Sequence, residues 1–170
     1  NENPFGLTAE ARAHIASAVA NVAVNRYPDG AGDEVKAALR RVLALPAEAG
    51  IVLGTGADEL LQLITTVVAR PGAVVLAPDP TFVMYRLYAL YANLRYVGVP
   101  LQSDFALDTD AMLAAITART RAVIVNSPCN PNGGRISPAA MTVIIEGCAA
   151  RGVLVISDEV MCGSGRSGVW

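Results

Sequence analysis

Ala73-Val74-Val75-Leu76-Ala77, closed by Pro78-Asp79-Pro80 and preceded by Pro71-Gly72, is the stretch that decides the fold. The run is too short for a helix, and it is apolar at both odd and even positions. A strand with no polar face belongs in a parallel sheet covered by helices on both sides. Residues 51–53, 94–99, 122–126 and 153–157 read the same way, which makes five strand candidates. Between them lie helical stretches at 57–69, 81–92, 109–116 and 138–150, with two earlier ones at 8–20 and 33–45. Leu60, Leu61, Ile64 and Val68 recur at helical spacing and should face the core. Thr8 is the expected N-cap of the first helix, with Glu10 in its first turn. Strands alternating with helices predict an α/β class. No repeat, low-complexity tract or linker interrupts the 170 residues, which read as one continuous domain or part of one.

Composition removes several functions. With 53% hydrophobic and 16% charged residues the chain packs a core and is no disordered tail. Thirteen basic against fifteen acidic residues leave a net charge of −2, and the basic ones never cluster, which argues against nucleic acid. Every apolar run breaks well before the ~18 residues of a membrane helix. Asn1-Glu2-Asn3-Pro4 lacks the basic-then-apolar order of a secretory signal, so a cytoplasmic location is expected. Cys129, Cys148 and Cys162 form no CxxC pair and are expected to be reduced. The sole histidine, His14, sits in an Ala-rich helix, so neither a metal site nor a His-dependent triad is expected.

In open α/β sheets ligands bind beyond the carboxyl ends of the strands, so the loops after each strand carry the functional reading. Gly54-Thr55-Gly56-Ala57-Asp58-Glu59 is a glycine turn opening onto a helix whose free N–H groups suit a phosphate, or else a plain tight turn. Glu59 stands where a dinucleotide fingerprint needs glycine, and no lysine follows as in a P-loop. Phe82 could stack on a planar ring, or could pack with Tyr85 and Tyr88 on an amphipathic helix. In Ser127-Pro128-Cys129-Asn130-Pro131 the Asn130 amide could donate to a ligand oxygen, or the segment could be a surface turn. Asp158 ends a strand, where a carboxylate is costly without a partner, unless it merely caps the next turn.

Five segments together, in order and spacing, strongly resemble the histidinol-phosphate aminotransferase family within the class I/II aminotransferases. They are Asn1-Glu2-Asn3-Pro4-Phe5-Gly6, Asn25-Arg26-Tyr27-Pro28, Gly54 through Glu59, Pro78-Asp79-Pro80-Thr81-Phe82 with Met84-Tyr85, and Asn126-Ser127-Pro128-Cys129-Asn130-Pro131. The resemblance implies an N-terminal segment followed by part of the three-layer αβα large domain of a type I pyridoxal 5'-phosphate (PLP) enzyme, without the small C-terminal domain. It implies PLP as cofactor, amine and 2-oxo acid substrates, transamination from histidinol phosphate to 2-oxoglutarate, and a homodimer. By the same resemblance Ala57 and Asp58 are expected in the phosphate cup and Phe82 against the pyridine ring. Asn130 would donate to the phenolic oxygen, and Asp158 would hold the pyridine nitrogen protonated. Tyr27 would reach the cofactor phosphate of the other subunit, and Phe5 would lie near substrate.

Two departures accompany it. Asn132 stands where the family carries threonine, and Met161 replaces a tyrosine expected three residues after the aspartate. Residues 158–168 look instead like class III aminotransferases, which leaves another type I PLP enzyme (a class III aminotransferase, decarboxylase or lyase) as an alternative. A non-catalytic cofactor-binding fragment is the other, because the family's catalytic lysine lies beyond an aspartate of this type. The one lysine among thirteen basic residues, Lys36, follows Asp33 and Glu34 on an expected surface helix and is not expected to serve as that amine. The 170 residues are thus expected to be inactive alone.

Overall fold

The computed structural model describes residues 5–160, so the readings on residues 1–4, on Met161 and on the rest of 161–170 lie outside the described residues. The chain divides into two compact units between Leu53 and Gly54.

The first unit holds α1 (Ala9–Ala20) and α2 (Asp33–Val42). Thr8 caps α1 as its sequence position suggests: its backbone is extended and its Oγ1 accepts from the Ala11 N–H at 3.2 Å. α2 carries Asp33 and Glu34 in its first turn and Arg40 and Arg41 in its last, the order that complements the helix dipole. It stops at Val42, short of residue 45, because Ala44 turns left-handed at φ 48°. The Arg40 guanidinium then clasps the following loop by donating to the carbonyls of Pro46 and Ala49. Residues 51–53, expected as a strand, form none: Val52 is 73% exposed, and no neighbouring strand offers a hydrogen-bond ladder.

The second unit is built on a parallel sheet of β1 (Val74–Asp79), β2 (Arg95–Pro100), β3 (Thr120–Asn126) and β4 (Leu154–Asp158), in the order β2-β1-β3-β4. The connecting helices are α3 (Gly56–Val68), α4 (Met84–Tyr91), α5 (Thr109–Ala114) and α6 (Pro138–Ala149). The central strands β1 and β3 carry the buried apolar runs 74–77 and 122–125, so each face needs its own cover. On one face Val75, Ala77, Ala122 and Ile124 pack with Leu61, Tyr85, Tyr88 and Ala89 of α3 and α4. On the other, Val74, Leu76, Val123 and Val125 pack with Met112, Ile144 and Cys148 of α5 and α6. The result is a three-layer αβα arrangement, the fold class expected. Each fully buried aliphatic side chain stabilises it by about 1.5–3 kcal/mol. Asp108 and Ser137 cap α5 and α6 by accepting from Ala111 and Ala140. No described helix is long and apolar enough to cross a membrane.

The strand order positions the site. The chain steps outward from β1 to β2, then returns past β1 to β3 and β4, so its direction of winding reverses between β1 and β3. Because every strand is parallel, the loops after β1, β3 and β4 share one edge of the sheet. Ligands of open α/β sheets bind at such a reversal.

Candidate functional site

At that reversal the loops after β1 and β3 are tied together. Thr81, just past β1, donates its hydroxyl to Oδ1 of Asn126, the buried last residue of β3, at 3.1 Å. α4 begins at Met84 and not at residue 81. The Asn130 turn closes on itself: Cys129 N–H donates to the Gly134 carbonyl and Gly133 N–H to the Cys129 carbonyl, both at 2.7 Å. Asn130 sits half-buried at its tip. Asn132 accepts the Gly134 N–H at 2.8 Å through Oδ1, while its Nδ2 is buried without a partner.

Asp158 ends β4 in register with Asn126 of β3. Its Oδ2 accepts the Tyr85 hydroxyl at 2.6 Å, and its Oδ1 accepts the Val160 N–H at 3.1 Å. Tyr85 is 0% exposed. Burial, reinforced by the hydrogen bond and charge of Asp158, raises the phenol pKa far above its ordinary value, so Tyr85 is a proton donor at any physiological pH. The Phe82 ring meets the Tyr85 ring edge-on, with centroids 5.6 Å apart and planes at 80°. One turn further along α4, burial and the neighbouring Asp58 carboxylate push Tyr88 up to about 12.

Asp58 lies in the first turn of α3, which opens the way an anion site needs. Gly56 adopts φ +84°, a left-handed conformation open to glycine, and its N–H bonds to the Gly54 carbonyl at 2.9 Å. Thr55 makes no side-chain cap; its N–H instead donates to the Glu59 carboxylate. The N–H groups of Ala57 and Asp58 have no acceptor within the described chain, which leaves two donors at the positive end of a thirteen-residue helix.

Of the residues singled out from sequence, Phe82 and Asp158 are thus brought together through Tyr85, and Asp58 neighbours Tyr88 of the same helix. Asn130 follows the strand next to that of Asp158, and its side chain makes no hydrogen bond within the described chain. Tyr27 and Phe5 lie in the first unit, with side chains 99% and 83% exposed. Lys36 is on α2 of that unit. Sequence reasoning missed the polar roles of Thr81, Asn126, Tyr85 and Tyr88. A signal existed for the tyrosines, since a phenol inside a core needs an acceptor and the nearby loops offer carboxylates.

Comparison with known proteins adds to this geometry. The family profile described as Aminotransferase class I and II matches residues 1–164. A histidinol-phosphate aminotransferase of Chromobacterium violaceum is 50% identical over 159 residues, covering 93% of this chain and 44% of that protein. One of Thiocapsa roseopersicina is 44% identical over 157 residues, covering 91% of this chain and 82% of that protein. The crystal structure of the histidinol-phosphate aminotransferase from Clostridium acetobutylicum superposes with a TM-score of 0.81 at 26% identity, over 94% of this chain and 45% of the other. The chain therefore spans less than half the length of two of these three relatives.

Proposed function

Because the chain belongs to the aminotransferase class I and II family, we propose that it forms the cofactor-contacting part of a PLP-dependent aminotransferase that transfers the amino group of histidinol phosphate to 2-oxoglutarate in histidine biosynthesis. The observation that carries this reading is Asp158, a carboxylate at a strand end whose orientation is held by a fully buried tyrosine. The substrate follows the names of the relatives at 50% and 44% identity. In the same reading residues 1–170 are an N-terminal segment plus part of the PLP-binding large domain, and the enzyme is a cytoplasmic homodimer.

The residues present fit PLP. The unpartnered N–H groups of Ala57 and Asp58 suit a phosphate, the Phe82 ring suits an aromatic face, and Asp158 suits a protonated ring nitrogen. When bound, PLP supplies an electron sink for the carbanion formed at the substrate carbon. The protein's own part follows from its charges and donors. Asp158 would keep the proton on the pyridine nitrogen, because an ion pair in a partly desolvated site favours the charged form of both partners. The N–H groups at the start of α3 receive the phosphate without a lysine or arginine in that loop. Phe82 would cover one face of the ring, and the Asn130 amide would donate to the phenolic oxygen. By the family resemblance Tyr27 would reach the cofactor phosphate of the other subunit, and Phe5 would lie near substrate. Lys36 is the only lysine of the 170 residues, so the amine that holds the cofactor covalently is assigned to sequence beyond them.

The test is a substrate panel on the full-length protein loaded with PLP, with histidinol phosphate, aromatic amino acids, aspartate and simple amines as donors to 2-oxoglutarate. The expected result is a kcat/KM for histidinol phosphate at least about tenfold above the others, a difference of about 1.4 kcal/mol in transition-state binding. Preference for an ω-amine would favour the class III reading drawn from residues 158–168. Absence of PLP binding would refute the proposal.

A further inference from the structure

We propose that Tyr85 is a positioning residue for the cofactor: its hydroxyl fixes Oδ2 of Asp158 and so sets the direction with which that carboxylate meets the ring nitrogen. The inference rests on the PLP reading above and deepens it.

Asp158 needs an external reference. Its other hydrogen bond comes from the Val160 N–H, only two residues away, and moves with its own segment. Tyr85 lies 73 residues earlier, on a different element, inside the core that α4 shares with β1 and β3. It is therefore the contact that ties the carboxylate to the body of the sheet. The same side chain receives the Phe82 ring edge-on, so the ring wall and the charged anchor are referenced to one buried residue. At 2.6 Å the bond has the length of a charge-assisted O–H···O⁻ contact. An ionised carboxylate has about four acceptor sites. Tyr85 and Val160 each use one, and Asp158 is only half-buried, so acceptor capacity remains for a cationic N–H from the open side.

The hydroxyl also steadies the anchor. The hydroxyl donated to Oδ2 holds the carboxylate in one orientation, from which it would pair with a protonated ring nitrogen. Without the donor the carboxylate would be freer to turn away, and the ring nitrogen would lose part of its partner. A tyrosine acting only as core filler would have no such effect, because phenylalanine fills the same volume.

The experiment uses the full-length protein, PLP labelled with nitrogen-15 at the ring nitrogen, and the variants Tyr85→Phe and Asp158→Asn. Tyr85→Phe is expected to weaken PLP retention on the order of tenfold, the scale of one lost hydrogen bond to a charged group. It should also move the ring-nitrogen resonance toward that of neutral pyridine. Wild-type retention and resonance in Tyr85→Phe, with both altered in Asp158→Asn, would overturn the positioning role while leaving the PLP reading intact. If neither variant alters them, Asp158 does not hold the ring nitrogen, and the underlying assignment fails as well. A measurement without any variant guards against misfolding: the Tyr85 hydroxyl proton, shielded from exchange by burial, should resonate far downfield in the cofactor-free protein. It should shift when PLP binds, and a resonance unmoved by saturating PLP would overturn the proposal.

Discussion

Substituting Gly56 tests the phosphate end of the site by backbone conformation alone. Gly56 has φ +84°, and a Cβ built on it meets nothing within 4 Å, so alanine there suffers no clash. What remains is the left-handed backbone, which costs a residue bearing a Cβ about 1–2 kcal/mol. Divided by a urea slope of about 2 kcal/mol/M, that lowers the unfolding midpoint by about 0.5–1 M with the slope unchanged. Gly56→Asn should lose less, because asparagine tolerates this region better. If alanine instead relaxes by rotating out of the left-handed region, the Ala57 and Asp58 N–H groups turn away from a common anion. Inorganic phosphate at about 100 times its Kd should stabilise the wild-type apoprotein by about 2.7 kcal/mol, and the alanine variant by much less. Gly54→Ala provides the contrast: its Cβ would meet Leu60 at 2.8 Å, a steric cost borne by a flexible side chain, and the phosphate response should survive. Urea titrations with and without phosphate measure both quantities. A Gly56→Ala protein with wild-type midpoint and wild-type phosphate protection would refute the reasoning.

Asp158→Ala in the full-length protein should nearly abolish PLP retention and turnover, whereas Glu159→Ala, an exposed neighbour, should change either by less than about threefold; equilibrium dialysis and a transaminase assay compare them. Residues 1–170 incubated with PLP and reduced with borohydride should give no stoichiometric label at Lys36 and no turnover, and a mapped Lys36 adduct accompanied by activity would reverse the assignment of the covalent lysine. The unfolded Tyr88 phenol loses its proton near 10.0 and the folded one near 12. The stability from keeping it neutral is therefore complete below pH 10 and is lost as pH rises toward 12. A urea midpoint followed across that window should fall less steeply in Tyr88→Phe.

The four strands of the sheet lie within two residues of where their sequences place them, and the physical reason is visible in β1 and β3. The middle of a strand buried on both faces is apolar at successive positions, as in 74–77 and 122–125, and that pattern has few other readings. Residues 51–53 show the limit of the same signal, since a β-branched run becomes a strand only where a neighbour supplies its ladder. Loop positions were legible as candidate sites because chain order alone puts Ala57, Phe82, Asn130 and Asp158 just after strands or at a helix start. Hydrogen bonds across long separations were not legible. Thr81 to Asn126 spans 45 residues and Tyr85 to Asp158 spans 73, and neither pair has a periodicity that announces it.

The tyrosines of α4 show why core and site could not be told apart in the sequence. Aromatic residues at spacing i, i+3 on an amphipathic helix look alike whether their hydroxyls meet solvent, backbone or carboxylate. Inside the fold the alternatives narrow sharply. A phenol at 0% exposure without an acceptor would cost about 1–3 kcal/mol, and a carboxylate at a half-buried strand end without a donor would cost at least as much. Tyr85 and Asp158 each remove part of the other's penalty. The reading of Tyr85 as ordinary packing and the reading of Asp158 as a site carboxylate therefore describe two ends of the same contact. It follows that substitutions on the buried face of α4 should reach the site through the Asp158 carboxylate before they disturb the sheet, and truncating only a hydroxyl is the change that separates the two effects.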